Sequence, residues 1–230
     1  MINKRKTQID KKQAKQYSFP YHYLPNANGF PNFCKDWGFS ASYIAAIQLF
    51  QKWLEVESKG VASHQHMDYG CGDGGFIYHI KSLKKFDSVE FFGIDFDEKA
   101  IKWASLFSES DNFSNDDIGS LSSSKFDSGS LIEVYEHIPP NECKRFISCV
   151  AKSLRSGAPL FVTVPSTQKP LPAKHYRHFD FESLVGEFGE HFVVDEIYAF
   201  ERKSFISKVI NRLLKTKWWY LEIKFTNQYL

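Results

Sequence analysis

No apolar run in this chain approaches the roughly 18 residues that a membrane-spanning helix needs, and the opening Met1-Ile2-Asn3-Lys4-Arg5-Lys6 lacks the apolar core of a signal peptide. A cytoplasmic protein is therefore expected. Cysteine is scarce as well: the four at positions 34, 71, 143 and 149 show no C-x-x-C spacing, so free thiols are expected rather than a disulfide framework. Net charge is small at +2, yet it is unevenly spread. Residues 1–16 hold six Lys/Arg against one Asp, and residues 201–224 hold seven against two Glu, which leaves 16 basic and 24 acidic residues elsewhere. Basic ends on an acidic body suit nucleic acid or an anionic membrane surface, although a merely solvated tail is the plainer reading.

Apolar and aromatic residues are plentiful. At 43% hydrophobic and 24% charged over 230 residues, the chain is long enough to bury a real core in one domain. Its 17% aromatic content, including 22 Phe, suggests a site or interface lined with rings. Residues 1–16 lack apolar periodicity and are expected to be a disordered basic tail. The stretch from Tyr17 to Trp37 is dense in rings and broken by Pro20, Pro25 and Pro31, so regular structure is excluded there. With the helix that follows, it makes a segment of residues 17–60 distinct from the α/β body of residues 61–230.

Apolar residues at three- and four-residue spacing predict helices over 42–57, 75–84, 98–107, 139–154 and 181–188, with a basic amphipathic one over 204–214. Strands are predicted over 65–69, 89–94, 126–133, 159–164, 192–200 and 218–225. A polar, serine-rich stretch over 108–125 hides any strand there. Such alternation makes a doubly wound α/β sheet.

The chain is organised around His64-Gln65-His66-Met67-Asp68-Tyr69-Gly70-Cys71-Gly72-Asp73-Gly74-Gly75. A strand runs into a glycine turn and then a helix, whose unpaired N–H groups point back at the turn. This is a cradle for a small molecule. The glycines satisfy G-x-G-x-x-G with Asp95 about twenty residues on, so a dinucleotide is one candidate. Asp68 and Asp73 flank the turn, however, and would repel a pyrophosphate in a partly dry site. A ligand with a cation near the loop fits better, and S-adenosylmethionine has a sulfonium, an ammonium and a ribose.

The segment Asp68 to Gly74 resembles motif I of the class I S-adenosylmethionine-dependent methyltransferases. Phe91-Phe92-Gly93-Ile94-Asp95-Phe96-Asp97 is similar to their second-strand motif, Leu131-Ile132-Glu133-Val134-Tyr135-Glu136-His137-Ile138-Pro139 to the fourth-strand "EVLEHIP" motif, and Leu154 to Pro165 to the turn and strand that follow. The resemblance implies a seven-stranded, mostly parallel Rossmann-like sheet with its last strand antiparallel. It makes residues 61–230 an S-adenosylmethionine-binding domain and the aromatic segment, with Tyr21, His22 and Tyr23, a substrate cover. Asp68, Gly70, Cys71, Gly72, Gly74, Asp95, Phe96, Asp117, Ile118 and Glu133 are then the cofactor-binding candidates. Among these Cys71 reads as a small side chain where space is tight, and the Asp117-Ile118 match to the adenine-bracketing pair is weak.

Methyl transfer needs an aligned acceptor and, for a hydroxyl, a base. His137 is the first candidate, with Glu136 and with His175 from His175-Tyr176-Arg177-His178-Phe179; a loop-stabilising role for His137 stands beside it. The E-x-x-E-H pattern is similar to one that holds a divalent ion in ubiquinone-pathway and small-RNA 3′-terminal methyltransferases. Glu133, Glu136, His137 and His175 or His178 would form that set with Mg²⁺ or Mn²⁺. Arg177, a cation between the two later histidines, weighs against a metal, so none is favoured. The leading expectation is methyl transfer to an oxygen of a small molecule such as a sugar, quinone or lipid-linked precursor. The alternatives are an RNA methyltransferase and a non-catalytic cofactor- or partner-binding module. A nucleic-acid partner is not favoured, and neither is membrane contact through residues 204–214.

Overall fold

Seven strands make one sheet in the order β3-β2-β1-β4-β5-β7-β6. This is a computed structural model that describes residues 11, 40–110, 112–123, 125–200 and 220–227. In chain order the elements are α1 (Ser40–Glu57), β1 (His64–Tyr69), α2 (Gly75–Ser82), β2 (Val89–Ile94), α3 (Glu98–Ser108), β3 (Phe113–Ser114), β4 (Ser128–Ile132), α4 (Cys143–Ser153), β5 (Pro159–Pro165), α5 (Phe181–Phe188), β6 (Phe192–Phe200) and β7 (Tyr220–Asn227). Short 3-10 turns span Ile118–Ser123 and Tyr135–His137. β1 pairs in parallel with β2 and β4, and β5 in parallel with β4. β7 enters antiparallel between β5 and β6, as the resemblance implied.

The sheet is covered on both faces because successive strand residues point opposite ways. Met67 and Tyr69 of β1, with Leu160, Val162 and Val164 of β5, meet Ile147 and Val150 of α4 and Leu184 and Phe188 of α5. Phe91 of β2 and Phe161 of β5 face a second cluster made by Ile47, Phe50 and Leu54 of α1, Phe76 and Ile80 of α2, and Ile101 and Ala104 of α3. Burying these side chains away from water is the main stabilising contribution.

Local chemistry sets where the helices start. Asp97 caps α3 by accepting from the N–H groups of Lys99 and Ala100, and Asp180 with Ser183 forms a capping box on α5. The expected start of α4 at Pro139 moves to Cys143, because Pro139 to Glu142 closes a turn in which the Glu142 N–H donates to the Pro139 carbonyl at 2.8 Å. The strand expected over 126–133 is shorter. Phe126 makes only an isolated bridge to Leu154, and Glu133 leaves the strand at a positive φ. The strand hidden in the serine-rich stretch is β3, two residues long. Among the described residues no helix is long and apolar enough to cross a membrane. The tail up to 16 apart from residue 11, the aromatic stretch over 17–37 and the helix expected over 204–214 lie outside the described residues.

Candidate active site

At the carboxyl end of β1 the chain reverses through Gly70 to Gly74. Gly70 sits at φ 76, and a Cβ there would lie 2.6 Å from Val134 Cγ2. Any larger residue is therefore excluded by backbone conformation and by space. Its N–H and that of Cys71 both donate to the Ile94 carbonyl at the end of β2, at 2.7 and 3.0 Å. Gly74, at φ 78, is the N-cap of α2, so the first-turn N–H groups of that helix face the same turn. Asp95 joins from β2: its carboxylate accepts from the Gly72 N–H at 2.9 Å and the Asp97 N–H at 3.0 Å.

Asp68 is 3% exposed and accepts a hydrogen bond from Ser130 Oγ of β4 at 2.6 Å. Burial pushes its carboxyl up to about 7, with the Asp95 charge adding to the rise and the Ser130 hydroxyl opposing it. Cys71 is also buried, its thiol pushed well up by burial and then by the charges of Asp95, Asp68 and Asp73. A thiol held in that form is no nucleophile.

A second group lies on the loop after β4. Val134 packs against Gly70 and so fixes this loop beside the glycine turn. Glu133 adopts φ 56, an uncommon conformation for a non-glycine residue. Its N–H donates to the Thr163 carbonyl at 3.1 Å, while its Oε1 is buried without a hydrogen-bond partner. Glu136 is completely buried, and neither of its carboxylate oxygens has a hydrogen-bond partner. Burial raises Glu133 to about 7, against the opposing charge of Lys169; burial and then the Glu133 charge push Glu136 well above the carboxylate range.

Hydrogen bonds assign the histidine tautomers. The Lys174 carbonyl can only accept, so the His137 Nδ1, 3.1 Å away, carries the hydrogen and Nε2 is a bare lone pair. That Nε2 stands 4.0 Å from Glu136 Oε1. Likewise His178 Nδ1 donates to the Lys169 carbonyl at 3.0 Å, so its Nε2 accepts from His175 Nδ1 at 2.8 Å, and His175 Nε2 is bare too. Burial first, with Lys174 adding for His137 and His137 adding for His175, lowers these two imidazoles to about 4 and about 2. Both are neutral at pH 7. One ligating atom each from Glu136, His137 and His175 lie within 4.8 Å of one another.

A family described as a methyltransferase domain matches residues 41–222. The chain belongs to this family. No curated protein matches the sequence significantly. The methyltransferase is similar in fold to several solved structures. Magnesium protoporphyrin IX methyltransferase from Synechocystis PCC 6803 with bound SAM shares 16% identity at a TM-score of 0.62, with 96% of each chain covered. The N-methyltransferase NodS from Bradyrhizobium japonicum WM9 with S-adenosyl-L-homocysteine shares 16% at 0.61, covering 94% of this chain and 99% of that one. The Burkholderia thailandensis 1,6-didemethyltoxoflavin-N1-methyltransferase shares 16% at 0.58, covering 80% and 79%.

Within this methyltransferase fold, Asp68, Gly70, Cys71, Gly72, Gly74 and Asp95 gather around the turn, and Phe96 follows at 65% exposure. Glu133, Glu136, His137 and His175 form the adjoining group. Asp117 stands apart: it is exposed, accepts from the Gly119 N–H at 2.8 Å and pairs with Arg145 of α4, while Ile118 packs on the core cluster beneath. The expectation that Arg177 would bring a cation between the histidines is corrected. Its guanidinium lies over the Tyr135 and Phe179 rings and forks onto Glu187, which turns its charge away from His175 and His178. The cations that do reach the carboxylates are Lys169 and Lys174.

Ser130, His66, Thr163 and the two lysines were not singled out in the sequence. A usable signal existed for the first two. A strand buried on both faces should read as continuous apolar sequence, so His64-x-His66-x-Asp68 opposite Ser128-x-Ser130 is a polar row that needs an explanation.

Proposed function

We propose that this methyltransferase moves the methyl group of S-adenosylmethionine to an oxygen of a small molecule, with His137 Nε2 receiving the acceptor's proton. The cofactor half of the reading is supported by the acids around the turn, which suit a cationic ligand, by Asp95 at the position that the motif resemblance assigns to the ribose, and by solved structures of similar fold that hold SAM or its demethylated product. One observation carries the chemical half. A bare imidazole nitrogen and a carboxyl without partners face each other across 4.0 Å, on a loop whose Val134 touches the cofactor turn.

A hydroxyl seated between them would satisfy both groups. In the reaction its oxygen attacks the methyl carbon as the carbon–sulfur bond breaks, its proton passes to His137 Nε2, and S-adenosylhomocysteine leaves. Oxygen is favoured over an ammonium acceptor because Lys169 and Lys174 stand beside carboxyls that burial holds toward neutrality. A sugar, a quinone and a lipid-linked alcohol all present such an oxygen. The RNA alternative rests on the basic ends and on exposed aromatics, and most of those ends lie outside the described residues.

The test is calorimetric titration with S-adenosylmethionine and S-adenosylhomocysteine, followed by turnover with hydroxyl and amine acceptors. Wild type should bind both, and Asp95→Ala should bind about 100-fold more weakly, the loss of two hydrogen bonds to a charged group. Unchanged affinity in the variant rejects the cofactor assignment. Turnover of amines alone rejects the oxygen.

A second reading is favoured by the donor set itself. Glu136, His137 and His175 present one carboxylate and two bare nitrogens, and each histidine has its other nitrogen held by a carbonyl or a ring, the arrangement that orients metal ligands. These residues would hold Mn²⁺ better than Mg²⁺, since imidazole suits transition metals and Mg²⁺ prefers oxygen. When bound, such an ion would supply Lewis acidity that lowers the pKa of the acceptor hydroxyl. A gain in acceptor binding with Mn²⁺, absent in Glu136→Gln, supports it.

A further inference from the structure

Between β1 and β4 the sheet carries an unbroken polar row. His64 Nε2 lies 2.7 Å from Ser128 Oγ, the same Oγ lies 2.7 Å from His66 Nδ1, His66 Nε2 lies 2.9 Å from Ser130 Oγ, and Ser130 Oγ donates to Asp68 Oδ1 at 2.6 Å. All five side chains are buried, none more than 3% exposed. The row follows from register: His66 pairs with Ser128 and Asp68 with Ser130, so these residues share a face of the sheet. Rings of Phe50, Trp53 and Phe91 surround His66 at centroid distances of 5.0, 6.1 and 5.7 Å.

The direction of this chain is fixed by its last member. An ionised Asp68 can only accept, so Ser130 spends its single hydrogen there and must itself accept from His66 Nε2–H. Neutral His66 then has a bare Nδ1 that accepts from the Ser128 hydroxyl, and Ser128 in turn accepts from His64 Nε2–H. Burial lowers both histidines, His66 strongly, which keeps the neutral ring this pattern requires. Every donor in the row thus points toward the cofactor turn. The alignment of successive dipoles strengthens the final bond in a low-dielectric interior.

We infer that Ser130, supported from behind by His66, is a positioning residue that holds Asp68 ionised and oriented toward the cation-bearing amino-acid end of the cofactor. The inference rests on the S-adenosylmethionine reading above. Asp68 sits near its midpoint at pH 7, raised by burial and by Asp95, so the Ser130 bond decides how much carboxylate is present. The other ionisable groups near it are Asp95 after β2, Cys71 of the turn, and His66 through Ser130. Asp95 disfavours a second negative charge, and burial keeps His66 neutral, so among these groups no formal positive charge substitutes for the serine.

The experiment measures S-adenosylhomocysteine, whose ammonium is retained, against 5′-methylthioadenosine, which keeps the adenosine but has neither ammonium nor carboxylate. Affinities are taken from pH 6 to 8.5 for wild type, Ser130→Ala, Ser130→Thr and Asp68→Asn. Ser130→Ala should weaken S-adenosylhomocysteine about five- to tenfold at pH 7, the effect of raising the Asp68 pKa by one unit or slightly more. The gap should close to within about twofold at pH 8.5, where the carboxyl ionises in both proteins. Ser130→Thr should restore the wild-type profile, and Asp68→Asn should be weak at every pH. Methylthioadenosine should bind all four proteins alike. A loss in Ser130→Ala that persists at pH 8.5, or that falls equally on methylthioadenosine, overturns the inference while leaving the cofactor reading intact. Failure of wild type to bind either nucleoside overturns both.

Discussion

The two halves of the site are built on opposite terms. Around the glycine turn, between β1 and β2, the polar groups are joined to one another: Asp95 takes two backbone N–H groups, and Asp68 takes the Ser130 hydroxyl at the end of a four-bond row. On the loop after β4, Glu133 is strained at φ 56 and Glu136 is buried with both oxygens lacking hydrogen-bond partners. One half satisfies its polar groups within the protein, whereas the other buries carboxyl oxygens that the described residues leave without a hydrogen-bond partner. Each unsatisfied buried polar group costs about 1–3 kcal/mol, and such a loss persists where the group has another use.

The sharpest way to break this comparison is to remove a carboxyl from each half. Glu136→Leu should lower methyl transfer by more than about 100-fold, the scale of acid–base and positioning effects. It should also stabilise the free protein by about 1–3 kcal/mol, because an unpaired buried polar group gives way to an apolar one of similar size. At about 2–4 °C per kcal/mol for a chain of this size, thermal unfolding would detect the rise. Asp68→Leu should move the melting temperature the other way, since it orphans Ser130 and the row behind it. Two shifts of the same sign would show that the halves do not differ as described.

This contrast explains what the sequence revealed and what it hid. The glycine turn, the place of Asp95 after the second strand and the alternation of strands with helices were legible because each depends on residues close in the chain or on runs of apolar residues. Glu136 and His137 were legible as a pattern, but not the direction the His137 ring faces, which depends on the Lys174 carbonyl 37 residues away. Arg177 misled for the same reason: sequence places it between two histidines, whereas packing over the Tyr135 and Phe179 rings draws it onto Glu187. β3 could not be seen because two residues give no period to read. The offset start of α4 arose because Pro139 suits a turn as well as a first helical position.

A smaller effect sharpens the comparison through pH. His137 is lowered from its ordinary value to about 4 by burial, so between pH 6.5 and 4 the unfolded chain takes up a proton that the folded protein does not. Stability supplied by keeping this ring neutral is therefore present above pH 6.5 and lost as pH falls toward 4. Glu133, raised to about 7, has the opposite sign: the folded protein holds its proton while the unfolded chain has lost it, so stability falls as pH rises from 4.5 to 7. Chemical unfolding of His137→Asn should show it gaining on wild type as pH drops below 6.5, by up to about 3 kcal/mol near pH 4. Glu133→Gln should instead gain on wild type between pH 4.5 and 7. A parallel pair of curves in either case would mean that the ring or the carboxyl titrates as it does in water.

The smallest effect is expected at Asp117, a cofactor candidate by sequence whose carboxylate is already engaged. It is exposed, and it is shared between the Gly119 N–H and Arg145. Exposed ion pairs contribute between nothing and about 1 kcal/mol, so Asp117→Ala should leave stability within about half a kcal/mol of wild type. Its cofactor affinity should fall by no more than about threefold, because a bond to the adenine would first have to break the contacts to Arg145 and Gly119. Asp95 differs in place rather than in type: it too is bonded by backbone N–H groups, but those belong to the turn itself and hold it at the mouth of the cradle. A tenfold or larger loss in Asp117→Ala would mean that the Arg145 pair opens when the nucleoside arrives. The engaged half of the site would then include a residue that changes partner on binding.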